Sequence, residues 1–137
     1  MNSVVAFGGR VKEREIAEAT VQWCIQKMMP RMKTLDITIK ISDLDAYGYC
    51  MQEEAREYTL SLRRNMSLFD FISTICHEMI HVKQYARREL RQVQGKTMWK
   101  AKNHSNTEYD DAPWEKEAFK REAALALECF QDLHVLV

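Results

Sequence analysis

With 137 residues, 20 basic against 20 acidic side chains and 46% hydrophobic residues, the chain has room for one hydrophobic core and for no second independent one. The charge balance excludes a global pull toward nucleic acid or an anionic membrane, and no apolar run reaches the ~20 residues that a spanning helix needs. No basic-then-apolar leader opens the sequence, so the expectation is a single domain, 1–137, located in the cytoplasm without membrane association.

From about Val11 to Met29, Ile16, Ala19, Thr20, Trp23 and Lys27 mark a helical rotation to which Val21, Cys24, Ile25 and Met28 add apolar area before Pro30 stops it. Leu35, Ile37, Ile39 and Ile41 then alternate with Asp36, Thr38 and Lys40, the two-residue period of a strand with one buried face. Asp43 to Asp45 turns the chain. Tyr47, Tyr49 and Met51 alternate again, Gln52 to Arg56 makes a charged turn, and Tyr58, Leu60 and Leu62 form a third strand. A small sheet of three or four strands, mostly antiparallel, is expected.

The next helix carries the strongest chemical signal. Leu68, Phe71, Ile72, Ile75, Met79, Val82, Ala86, Leu90 and Val93 recur at helical spacing, so the expected helix starts after Ser67 or Asp70 and ends before Gly95. To one side of that stripe lie His77 and His81, whose four-residue separation places both imidazoles on one helical face, where they can share a metal ion. Glu78 stands about a third of a turn away, within reach of a metal-activated water. The H-E-x-x-H pattern therefore reads as a zinc hydrolase core with Zn2+ as cofactor, His77 and His81 as ligands and Glu78 as general base.

Arg87, Arg88 and Arg91 make a basic cluster late in this helix, read as a solvated helix end in preference to a nucleic-acid patch. Lys96 to Lys100 is a candidate strand, and Ala101 to Asp111 is a polar loop. Cys24, Cys50, Cys76 and Cys129 lack C-x-x-C spacing and read as reduced thiols, with Cys76 directed to the core.

A catalytic zinc site needs a third protein ligand. On the last helix, starting near Pro113, a wheel gathers Trp114, Ala118, Phe119, Ala123, Leu125, Ala126, Cys129, Phe130 and Leu133 on one broad arc, with Glu115 and Glu122 near its middle. Glu117 and Glu128 lie with Lys116, Lys120 and Arg121 on the opposite, solvated arc. A carboxylate on a buried face needs a partner, so Glu115 is the expected ligand and Glu122 a candidate to orient one histidine. Glu117 and His104 stay open as alternative third ligands. His134 reads as a helix-end residue. Tyr109, and more weakly Lys100, are candidates to stabilise an oxyanion.

The segments His77 to Gln84 (H-E-M-I-H-V-K-Q) and Pro113 to Ala118 (P-W-E-K-E-A), with Met98-Trp99-Lys100 between them, resemble the minimal gluzincin metallopeptidases, most of all the short phage-type SprT-like proteins. The resemblance implies a zincin-like α+β fold with an N-terminal helix, a small sheet, the H-E-x-x-H helix and a C-terminal helix carrying a Glu ligand. It also implies zinc-dependent hydrolysis of peptide bonds, with His77 and His81 as ligands and Glu78 as base. Gln94-Gly95 stands where SprT-type proteins usually carry a His-Gly pair. Glu115 is similar to the Glu that the ImmA/IrrE-like group places early in the next helix, although Phe119 replaces its usual Asn. Gln84 and Arg87 break the metzincin pattern.

The leading expectation is thus a zinc metallopeptidase acting on a peptide or protein substrate. The alternative is a catalytically inactive zinc-binding or DNA-associated module with the same fold.

Overall fold

A computed structural model describes residues 1–133. It shows an α+β arrangement with β1 (Ser3–Gly8), α1 (Val11–Met28), β2 (Asp36–Ser42), β3 (Gly48–Glu54), β4 (Glu57–Arg63), α2 (Leu68–Ala86), β5 (Leu90–Val93), β6 (Lys96–Trp99), β7 (Lys102–Asn103) and α3 (Pro113–Asp132), the last preceded by a short 3-10 turn at Tyr109–Asp111. No helix among the described residues is long and apolar enough to cross a membrane. His134 lies outside the described residues.

The first sheet has the order β1-β2-β4-β3. β1 pairs parallel with β2 and β2 parallel with β4, and only β3 runs antiparallel, against β4. This corrects the mostly antiparallel sheet expected from the sequence, which also missed β1. Parallel neighbours need a long crossover, and α1 supplies the one between β1 and β2. β3 is laid down on the outside, so that β4 returns between it and β2.

Register aligns the apolar residues into rows. Ala6, Ile39, Leu60 and Cys50 stand side by side across the four strands, and Ile37, Ile39, Ile41, Tyr58, Leu60 and Leu62 are buried. They belong to one core with Val21, Cys24 and Ile25 of α1, Ile72, Ile75, Cys76 and Met79 of α2, and Ala118, Leu125, Ala126 and Cys129 of α3. Cys24, Cys50, Cys76 and Cys129 are free thiols. Ile39 sits fully buried in a central strand. Ile39→Ala is expected to lower stability by about 2–5 kcal/mol through the lost transfer energy and the void left behind, read as a shift of the urea midpoint; a shift near zero would contradict this core assignment.

α2 begins where Ser67 accepts a hydrogen bond from the Asp70 amide, 3.2 Å away, as a helix-capping serine does. It ends at Ala86, earlier than its stripe suggests, with Arg88 in the left-handed region at φ 61°. Leu90 and Val93 belong instead to β5. Gln94 and Gly95, at φ 52° and 78°, form the two-residue turn of a β5–β6 hairpin, since positive φ at both central residues matches the twist of the flanking strands. The three arginines therefore do not share a helix: Arg87 caps α2 and donates to the Met28 carbonyl, and Arg91 is in β5.

Candidate metal centre

α2 lies between the sheet and α3, and every residue from Phe71 to Gln84 is withdrawn from solvent. On the flank facing α3, two helical turns present His77 and His81, whose ring centroids are 5.0 Å apart. α3 opens with Pro113 at its first position and Glu115 in its first turn. Pro needs no N–H there, because the first amides of a helix have no intrahelical acceptor. Trp114 holds this turn in place. Its ring packs 6.2 Å from that of Trp99 on β6 and 6.0 Å from that of His104.

Glu115 Oε1 stands 3.2 Å from His77 Nε2 and 3.2 Å from His81 Nε2, and Tyr109 Oη donates to the same oxygen over 3.3 Å. Among the described residues, His77, His81 and Glu115 are the one group of three or more such side chains whose donor atoms, all within 4.8 Å of one another, could hold a metal ion. The donor chemistry fits a cation. His81 Nδ1 already faces Gln84 Oε1 at 2.8 Å, and His77 Nδ1 lies 3.5 Å from Glu122 Oε1. Each ring thus turns its Nε2 toward Glu115. Lone pairs from two neutral rings would oppose a carboxylate there, so the point demands either protons or a metal ion.

Charge follows the same logic. Burial disfavours the imidazolium forms of His77 and His81, but the hydrogen bonds to Glu115 and the nearby carboxylates outweigh it and raise both pKa values. Burial likewise disfavours the Glu115 carboxylate, yet the two histidines pull its pKa down to about 2. A base raised by folding contributes stability that is complete below its unfolded value, here 6.5, and lost as pH rises through the folded one. Glu115 contributes stability complete above 4.5 and lost as pH falls toward about 2. From these three groups, metal-free protein is therefore expected to melt highest between about pH 4.5 and 6.5 and progressively lower on the alkaline side, in a thermal scan against pH. A midpoint that climbs through that alkaline range would contradict the pairing.

Glu78 faces the same space and is 6% exposed. Burial raises its pKa, an effect partly opposed by His81 and His77 and reinforced by Glu115 and Glu122. A cleft of about 310 Å³ opens over the group, walled by Tyr49 and Cys50 of β3 and by Tyr85, Leu90 and Trp114, with Tyr109 at its exposed rim. A second hollow of about 170 Å³ shares Gly48, His77, Glu78 and Tyr109 and is bounded by Tyr47, Thr74, Phe119 and Glu122. Gly48 is closely overlaid: a Cβ there would come within 2.8 Å of the Ser61 carbonyl oxygen and 2.9 Å of Thr74 Cγ2.

The structure thus brings together His77, Glu78, His81, Glu115, Tyr109 and Glu122. The two alternative third ligands lie elsewhere. His104 Nδ1 pairs with Thr107 Oγ1 at 3.1 Å, and Glu117 binds Gln84 Nε2 at 2.8 Å and Lys83 Nζ at 2.9 Å. Glu117 was expected on a solvated arc; instead it is half-buried between α2 and α3, because the arc that meets α2 at the start of α3 is rotated from the apolar one farther along. Phe119, placed by the wheel on the buried arc, is 55% exposed with its ring 4.7 Å from that of His77. Lys100 stacks over Trp99 at 5.2 Å, away from the cleft. The polar positions that the sequence reading missed are Lys83 and Gln84, both buried on α2.

No protein-family model, curated protein or solved structure matches the chain.

Proposed function

We propose that the chain is a zinc-dependent metallopeptidase of zincin-like architecture, similar to the minimal gluzincins, acting on an extended peptide or unfolded protein segment. The observation that carries this reading is the convergence of His77 Nε2, His81 Nε2 and Glu115 Oε1 beside Glu78 at the floor of a cleft. Ligands ~2.1 Å from one tetrahedral ion stand about 3.4 Å apart, close to the 3.2 Å separating each Nε2 from Glu115 Oε1. Two imidazoles and one carboxylate are also a donor set that zinc takes in hydrolytic sites. Zinc bound there would supply Lewis-acid polarisation of a carbonyl and make water acidic enough to ionise near neutral pH.

The remaining roles belong to this chain's own groups. Glu78, withdrawn from solvent and with a raised pKa, accepts the proton released by attacking water and returns it to the leaving amine, the task for which a carboxylate of elevated pKa is suited. Tyr109, whose hydroxyl reaches Glu115 Oε1 from the cleft rim, can turn to a developing oxyanion and donate there. β3 is the edge strand of its sheet and contributes Gly48, Tyr49 and Cys50 to the cleft, so its free backbone groups are available to pair with an extended chain.

The test combines metal analysis of purified protein with cleavage of a quenched-fluorescent unfolded protein substrate, with and without zinc. Stoichiometric zinc and zinc-dependent cleavage are expected. Zinc binding without cleavage of any substrate tried would leave a metal-binding module, and absence of zinc after zinc-replete growth would sink both.

A further inference from the structure

Gln84 is fully buried and polar, directly beneath the cluster. Its amide nitrogen donates to the Trp114 carbonyl oxygen at 2.9 Å and to Glu117 Oε1 at 2.8 Å. Both partners can only accept: one is a backbone carbonyl, and the other is a carboxylate bound by Lys83 at 2.9 Å with Arg121 at 3.5 Å. Lys83 is itself held from its other side by Glu89 at 2.8 Å. Flipping the Gln84 amide would set its oxygen against two oxygens, so the surroundings fix which end is which. The amide oxygen is therefore the atom facing His81 Nδ1 at 2.8 Å. That contact is satisfied only when Nδ1 carries a proton.

We infer that Gln84 is a positioning residue: locked by Glu117 and the Trp114 carbonyl, it keeps a proton on His81 Nδ1 and so reserves Nε2 as the nitrogen that meets Glu115. The same amide ties α2 to the residue immediately before Glu115, so one side chain sets both the ring nitrogen on α2 and the placement of the first turn of α3. Lys83 and Glu117 act behind it, as the pair that keeps the amide from turning over. Partners that hold a ligand histidine through its second nitrogen typically change metal affinity by ~10–100-fold when removed. The consequence for affinity rests on the metal reading above, whereas the hydrogen bond at Nδ1 does not.

The experiment is 15N–1H NMR of the histidine rings together with zinc titration against a competing chelator, on wild type and Gln84→Leu. In metal-free protein a slowly exchanging, hydrogen-bonded Nδ1–H is expected for His81 of wild type. Gln84→Leu should lose that signal and bind zinc ~10–100-fold more weakly. A wild-type His81 Nδ1–H that exchanges freely, or a Gln84→Leu protein with undiminished zinc affinity, overturns the inference, and the first of these needs no variant to fold. A protected Nδ1–H in wild type that binds no zinc upholds the hydrogen bond and sinks the metal reading alone.

Discussion

On the proposed metallopeptidase reading, Glu78→Gln is expected to retain zinc and to lose turnover by about 10²–10⁴-fold, the range that a positioned acid–base group contributes. Glu78 is not among the three convergent donors, so its amide replacement leaves the ligand set intact. The amide is close in shape but cannot take a proton at neutral pH. The substitution also removes a buried carboxylate, for which burial is the largest influence on the pKa, so folding should not suffer. Metal content by elemental analysis and cleavage rate on the same preparation check it. Retained activity in a zinc-loaded Glu78→Gln protein would remove the general-base role, whatever the metal does.

The second large effect falls on Glu115. Glu115→Gln should weaken zinc binding by well over the ~10–100-fold typical of supporting residues, because a charged ligand is exchanged for a weak neutral one. It should act on the metal-free protein too. The carboxylate held at about 2 and the raised histidines sustain one another, so without the charge the histidine pKa values drop and the alkaline loss of stability flattens. Zinc competition and a pH series of melting curves read the two consequences separately. Undiminished zinc affinity would mean that the third ligand is not Glu115, while an unflattened pH profile would mean that the histidines draw their stabilisation from elsewhere.

The local elements were readable wherever one periodicity ruled. Val11 to Met28 forms α1 as the helical rotation and Pro30 foretold, and the alternating residues around Ile37, Tyr49 and Leu60 fall in β2, β3 and β4. Which strands become neighbours was not readable, because alternation tells which face is buried and nothing about direction or partner. β1 was missed, since its six residues, ending in Gly8, carry little of the alternation that marks the others. The overextension of α2 has a similar origin. Leu90 and Val93 happen to continue its stripe, while the competing signal, Gln94-Gly95 as a hairpin turn, is only two residues long.

For the site, the spacing of His77, Glu78 and His81 was enough, because a helix repeats every 3.6 residues whatever surrounds it. Glu115 could be singled out as a carboxylate on an apolar arc, and the fold puts it against both rings. Glu117 and Gln84 could not, since the value of each depends on the other across 33 residues of chain. The amino-acid order by itself determined that two imidazoles share a helical face and that α3 carries an acid where apolar groups prevail. Only the tertiary structure decided that this acid, 38 residues beyond His77 and 34 beyond His81, closes on both. Helical pitch sets distances over one or two turns, but the meeting of two helices is set by what their buried surfaces pack against, here the sheet and the Trp99–Trp114 contact.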